Sequence, residues 1–188
     1  MIRGDRVSLR PFRRTDIVLL NRWHDDGETM QYWGTRMPLV ADGQWEPYFA
    51  PGGKFTKFEH EAFFAICNEA GDPIGQLGLH DYDIIARRGE LSIFIAEADY
   101  RSKGYGSEAI VAFGHWYFNE KGAHRLWLTV LATNVRAQRA YEKVGFIHEG
   151  TWRESVYMDG GWVDEHLYAV LRTEFNARYR PELVHTAQ

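Results

Sequence analysis

The residues best suited to chemistry lie in one short run, Arg101-Ser-Lys-Gly-Tyr-Gly106. Glycines where a strand turns into a helix let the backbone approach a ligand closely and point free N–H groups outward. A helix starting near Ser107 adds partial positive charge, and Arg101 and Lys103 add full charges, so phosphate or diphosphate is the ligand this run suits. Gly104-Tyr-Gly-Ser-Glu-Ala109 also matches the dinucleotide fingerprint with alanine last. That fingerprint needs an acid about 20 residues on to hold a ribose, and Leu126-Trp-Leu-Thr129 offers none. A kinase-type phosphate loop fails, because Gly53-Lys54 is followed by Phe55. A tight turn with solvated basic residues is the plain alternative.

A second group lies further along. Asn134 stands just before a helical segment, where it suits an N-cap. Tyr141 follows two helical turns later on roughly the same face, and its phenol, with a pKa of about 10, keeps a proton to give at neutral pH. The 8 histidines, including His80, His115, His124 and His166, show no metal-ligand spacing, so no metal is expected. Asp25, Asp26 and Glu28 form an acidic run that reads either as a solvated loop or as recognition of a cation. Tyr32, Trp33, Trp45 and Tyr48 read either as core or as rings of a pocket for that cation.

The elements that must hold these residues follow from periodicity and punctuation. Arg6 to Phe12 reads as a strand, and Thr15-Asp16 as the cap of a helix over Ile17 to Trp23. A short helix is expected near Asp42 to Phe49. Ala62 to Cys67 and Pro73 to Leu79 flank turn chemistry at Asn68 to Asp72, a hairpin. Leu91 to Ala96 is a strand, Ser107 to Phe118 a helix, and His124 to Leu131 a strand buried on both faces. A helix from Asn134 to Val144 stops at Gly145 in a left-handed conformation. Phe146 to Arg153 and Trp162 to Leu171 flank an Asp159-Gly160-Gly161 turn. The tail after Phe175, residues 176–188, is expected to be weakly structured.

Composition bounds the rest. The 188 residues suit one domain, with 45% hydrophobic and 26% charged residues, an ordinary globular balance. A formal charge of −4 argues against nucleic acid as a partner. The single cysteine, Cys67, excludes an intramolecular disulfide framework. No signal peptide or apolar run long enough for a membrane span is visible, so the cytoplasm is the expected location. The 7 Trp, 10 Tyr and 11 Phe exceed what the motifs explain.

Leu91-Ser-Ile-Phe-Ile-Ala-Glu-Ala-Asp-Tyr-Arg-Ser-Lys-Gly-Tyr-Gly-Ser-Glu-Ala-Ile110 resembles the signature of the GNAT superfamily of acetyl-CoA-dependent N-acyltransferases. There a strand leads into an (Arg/Gln)-x-x-Gly-x-(Gly/Ala) loop. Leu128 to Phe146, with Asn134, Ala137, Tyr141, Gly145 and Phe146 in an Asn-x-x-Ala-x-x-x-Tyr-x-x-x-Gly-Phe pattern, resembles the family's next strand and helix. Looser likeness at Arg6-Val-Ser-Leu-Arg-Pro11 and Asp159-Gly-Gly-Trp-Val-Asp164 extends the match over most of residues 2 to 175. The branch it resembles most is that of ribosomal-protein (Rim-type) and spermidine acetyltransferases.

The resemblance implies roles. Backbone groups of Ile93, Phe94 and Ile95 pair with the pantetheine arm of acetyl-CoA. Arg101, Ser102, Lys103, Gly104, Tyr105, Gly106 and Ser107 hold its pyrophosphate, with Asn134, Ala137 and Tyr141 beside the arm. Tyr141 protonates the departing thiolate. The attacking amine, with a pKa near about 10.4, must lose a proton first. Glu90 is the first candidate base, with His80 and Asp81 behind it; Tyr32, Trp33, His80 and Glu90 face the acceptor. His166 departs from the apolar residue expected in the last strand and is open to substrate or solvent.

The resulting expectation is a single α/β domain over residues 1–175, with a central, mixed, mostly antiparallel sheet flanked by helices. Residues 1–90 shape the acceptor side and 91–175 the acetyl-CoA side. The expected activity is acetyl transfer to an amine, either a small molecule such as a polyamine or a protein N-terminus. No membrane partner is expected, and the resemblance implies a homodimer. A non-catalytic acyl-CoA-binding module of the same fold, and a peptide-binding role for the aromatic loops, are the alternatives.

Overall fold

The computed structural model describes residues 1–32, 43–55 and 60–180. Within them the chain forms a mixed sheet of eight strands in the order β1-β2-β3-β4-β5-β6-β8-β7. The strands are β1 (Ile2–Arg3), β2 (Ser8–Pro11), β3 (Ala62–Cys67), β4 (Pro73–Asp83), β5 (Arg88–Ile95), β6 (Arg125–Leu131), β7 (Ile147–Met158) and β8 (Gly161–Leu171). Every neighbouring pair is antiparallel except β5 and β6. The helices are α1 (Ile17–Asp25), α2 (Gly27–Met30), α3 (Glu46–Phe49), α4 (Tyr105–His115), α5 (Val135–Val144) and α6 (Arg172–Tyr179).

Alternation along the strands splits the core in two. Leu9, Ile66, Leu77, Leu91, Ile93 and Ile95 pack with α4 residues such as Ile110 and Phe113. Phe12, Ala65, Cys67 and Phe94 pack on the other side with Leu20 and Trp23 of α1 and with Trp45. The mixed α/β architecture matches the expectation from sequence.

Four local readings are corrected. Asp16 does not cap α1: its carboxylate accepts the Arg13 N–H (2.7 Å) and the Arg10 guanidinium (2.7 and 3.0 Å), closing the short turn before the helix. The acidic run holds an unexpected helix, α2, because Asp26 accepts the N–H groups of Glu28 and Thr29 as its N-cap. β6 is fully buried only at Leu126, Leu128, Val130 and Leu131; Arg125, Trp127 and Thr129 are half-buried.

The fourth correction concerns the tail. α6 carries it in helix to Tyr179, because Phe175 and Tyr179, one turn apart, pack ring against tilted ring at 4.8 Å. Gly114 of α4 makes room for Phe175, since a Cβ there would lie 2.5 Å from its ring. The expectation for residues 181–188, like Asp42 at the start of the short helix, lies outside the described residues.

Candidate active site

The parallel ladder of β5 and β6 holds only three pairs, Arg88, Gly89 and Glu90 against Arg125, Leu126 and Trp127. Beyond them β5 stays with β4 as far as Ile95, while β6 follows β8 to Leu131. The two strands therefore part just after Glu90, leaving the β6-facing backbone edge of Leu91 to Ile95 outside any ladder. A cavity of about 610 Å³ occupies the gap. Its walls are β5 from Glu90 to Ile95, Thr129 to Leu131 of β6, the glycine loop and the inner face of α5.

The glycine loop is shaped by two left-handed residues, Ser102 (φ 60°) and Gly104 (φ 91°), the latter leading directly into α4. The first helical bond runs from Glu108 N–H to Gly104 carbonyl, so Tyr105, Gly106 and Ser107 keep N–H groups with no acceptor one turn back. Glu108 fixes this end of α4 to the residues just before β2 by accepting from Arg6 Nε (2.9 Å) and the Val7 N–H (3.1 Å). Across the gap, Asn134 caps α5 by accepting the Ala137 N–H (3.2 Å). Gly145 ends α5 at φ 112° with its N–H on the Tyr141 and Glu142 carbonyls.

Of the residues singled out in the sequence, Tyr32, His80, Glu90, Ile93, Phe94, Ile95, Arg101, Ser102, Gly104, Gly106, Ser107, Asn134, Ala137 and Tyr141 all line this one cavity. Lys103 and Tyr105 do not. The Tyr105 ring lies under the Arg6 guanidinium (4.6 Å) and its hydroxyl donates to Glu69 (2.9 Å), on the far side of the helix start. Trp33 lies outside the described residues. Trp45 and Tyr48 turn out to be packing residues: Trp45 is buried, donates Nε1–H to Asn21 (2.7 Å), and meets Tyr48 edge to face (5.4 Å). His166 shares a hydrogen bond with Thr151 (2.9 Å) and is not part of the cavity.

The electrostatics of the cavity are lopsided. Five carboxylates, Glu28, Glu61, Asp81, Glu90 and Glu165, line it. Burial pushes Glu90 up to about 7, helped by the negative charges of Asp81 and Glu165. Burial also holds His80 below the usual imidazole range, and its Nε2 lies 2.7 Å from Ser92 Oγ. Tyr141 is buried against Phe146 and Tyr168, and that burial raises its phenol to about 12.

Sequence reasoning missed Glu61, Ser92, Thr129, Arg136, Ala140 and Glu165. Helical spacing from Ala137 marks Ala140 and strand alternation from Glu90 marks Ser92, whereas Arg136 lies at no same-face spacing from Asn134, Ala137 or Tyr141. Glu165 needed the β6–β8 register, which sets it opposite Leu131. Among the described residues no group of three or more His, Cys, Asp or Glu is arranged to hold a metal.

A mixed sheet that opens beside a glycine-shaped helix start, with acid–base groups where it opens, is the frame of a group-transfer enzyme. The family model of the acetyltransferase (GNAT) domain matches residues 6–147, and the chain belongs to that family: it is an N-acetyltransferase, moving acetyl onto an amine. An uncharacterized N-acetyltransferase of Bacillus subtilis (strain 168), YnaD, is 32% identical over 91% of this chain and 96% of its own. A spermidine N(1)-acetyltransferase of Vibrio cholerae is 24% identical over 92% of this chain and 96% of its own. The crystal structure of a Vibrio cholerae spermidine N-acetyltransferase in complex with CoA and spermine shares the fold, with a TM-score of 0.82 and 24% identity over 90% of this chain and 98% of that one. Among the described residues, no helix is long and apolar enough to cross a membrane.

Proposed function

We propose that this enzyme acetylates a primary amine of a small polycationic acceptor, a polyamine or a compound of like charge, using acetyl-CoA. The observation that carries this reading is the carboxylate wall: Glu28, Glu61, Asp81, Glu90 and Glu165 share one cavity with the glycine loop. Glu28 already pairs with Arg101 (2.7 Å) and Glu61 with Lys54 (2.8 Å), so an acceptor with several ammonium groups complements chiefly Asp81, Glu90 and Glu165. The polyamine named for the Vibrio cholerae relative agrees with the same chemistry.

Acetyl-CoA, when bound, supplies the acyl group as a thioester. The N–H groups of the loop and of the start of α4 suit its diphosphate, and Arg136, exposed at the cavity rim, adds positive charge. The open edge of β5 offers alternating N–H and C=O groups to an amide-bearing arm, as it would to another strand. The first half of the chain supplies most of the acceptor end, through Glu28, Tyr32, Glu61, His80 and Asp81, with Glu165 joining from β8.

Glu90 takes a proton from the acceptor nitrogen. Its pKa near 7 keeps a working fraction ionised while leaving it basic enough to accept. Tyr141 gives its phenolic proton to the departing sulfur; raised to about 12, it stays protonated until that moment. Asn134 keeps the α5 start, and with it Tyr141, in place.

Calorimetry with acetyl-CoA, followed by free-thiol release over polyamines, amino acids, aminoglycosides and peptides starting with Ser or Ala, tests this reading. Polyamines should give the highest kcat/KM, falling as ionic strength rises. Preference for an uncharged or monovalent amine would overturn the acceptor class, and acetyl-CoA binding without turnover on any amine would favour a binding module.

A further inference from the structure

Arg101 opens the glycine loop, where a free guanidinium would meet an anion, yet its side chain is engaged elsewhere. Nε donates to the Ile95 carbonyl (3.1 Å), and Nη2 donates to the Ala96 carbonyl (2.6 Å) and to Thr29 Oγ1 (2.9 Å). Nη1 donates to Glu28 Oε1 (2.7 Å), and Asp26 Oδ2 lies 3.7 Å from Nη2. The side chain is only 13% exposed. Two carboxylates thus face one guanidinium, and three of its nitrogens are already donating. A diphosphate brought to it would meet Glu28 and Asp26 with like charge.

The same contacts join three segments: the end of β5, the start of the loop, and α2. With four residues, α2 is far too short to stand alone. Its start is capped by Asp26, and Thr29 Oγ1, which accepts from Arg101, donates onward to the same Asp26 carboxylate. α1 has its own anchor, the Trp23 Nε1–H bond to Glu97 (2.8 Å) and the Arg22–Glu97 ion pair. The pull of Arg101 therefore falls on α2, whose Glu28 and Thr29 line the acceptor end of the cavity.

We propose that Arg101 is a positioning residue for the acceptor: it seats α2 as a wall of the cavity, tying that wall to the glycine loop. The diphosphate is left to the loop's backbone. This inference rests on the acetyl-CoA and polyamine reading of the cavity, but one arm of its test does not need either ligand.

The test compares wild type with Arg101→Gln, Glu28→Gln and the double variant. Amide exchange in the unliganded protein should quicken tenfold or more at Thr29 and Met30 in Arg101→Gln, with the β3–β4 amides unchanged. With spermidine as probe, its KM should rise tenfold or more, while the acetyl-CoA dissociation constant moves less than threefold. Glu28→Gln should shift KM in the same direction, and the double variant should add little to Arg101→Gln, since both remove one contact. A tenfold loss of acetyl-CoA affinity with unchanged exchange in α2 would overturn the proposal and make Arg101 a diphosphate ligand. Should wild type bind no acetyl-CoA, the reading of the cavity fails; faster exchange in α2 would still sustain the seating role, and unchanged exchange would end it.

Discussion

Glu90 and His80 face one another across the β4–β5 ladder, at the level of the last residue of β5 that pairs with β6. The two titratable groups therefore sit where the sheet opens. Their surroundings separate them: His80 is turned onto Ser92 through a slot left by Gly78, where a Cβ would lie 2.6 Å from Ser92 Oγ and 2.8 Å from His80 Nε2. Glu90, with no such tie among the described residues, carries the strongly raised pKa.

The pH dependence of turnover should report that carboxyl. kcat/KM should fall as pH drops through about 7, because a protonated Glu90 cannot accept the amine proton. Glu165→Gln or Asp81→Asn removes a neighbouring negative charge, makes Glu90 easier to ionise, and should move this limb to lower pH. Glu90→Gln should lower kcat by about 10²-fold or more. A limb that stays in place in both neighbour variants would assign the titration to another group.

The same shift has a cost in stability. Glu90 folded binds a proton that the unfolded chain has already lost between about 4.5 and 7, so folding weakens as pH rises through that window and the full penalty stands above it. Glu90→Gln should therefore raise the urea midpoint at pH 8 and should lose that advantage below pH 4.5. Equal midpoints at pH 8 would contradict the burial of the charge.

Tyr141→Phe removes one oxygen from a buried ring held by Phe146 and Tyr168. Packing survives, so acetyl-CoA affinity should change less than threefold while kcat falls by about 10²-fold. An unchanged kcat would remove the phenol from the reaction.

Gly104 has φ 91°, and a Cβ there would sit 3.2 Å from Arg6 Nη2. Gly104→Val imposes strain of about 1–3 kcal/mol, which the loop can relieve only by turning its N–H groups. The expected result is loss of acetyl-CoA binding by calorimetry with a native circular dichroism spectrum. Retained affinity would show that the loop backbone does not hold the diphosphate.

How much of this was legible in sequence depended on the range of the cause. The glycine loop, the Asn134 cap and the Gly145 stop are local, set by φ and by groups within one turn, and they read directly. The parting of β5 from β6 is not local: Leu91 to Ile95 looks like any buried strand, and only the three-pair parallel register reveals its open edge. Arg101 shows the same limit. Its charge beside glycines reads as an anion ligand, because the competing partners, Glu28 and Thr29, lie more than seventy positions earlier in the chain. α6 was overlooked for a simpler reason, since two aromatic anchors at i and i+4 among polar residues carry little periodic signal until Gly114 is known to face them.

His24 is a buried group that the reaction does not use. Only 9% exposed, it packs on the Trp45 ring at 4.8 Å and edge-on to Phe94 at 6.0 Å, and neither ring nitrogen has a hydrogen-bond partner among the described residues. Burial holds its pKa below the ordinary imidazole value of about 6.5, and the opposing pull of Asp25 is the smaller effect. As pH falls through that value, the unfolded chain takes up a proton that the folded chain refuses. Unfolding is then favoured, so stability is lost on the acid side of the ordinary range and is intact above it. His24→Phe keeps a ring among rings and removes the proton uptake. Urea unfolding at pH 7.5 and pH 5.2 should show a smaller acid loss in the variant than in wild type. An equal loss in both would mean that the carboxylates, not this imidazole, set the acid sensitivity of the fold.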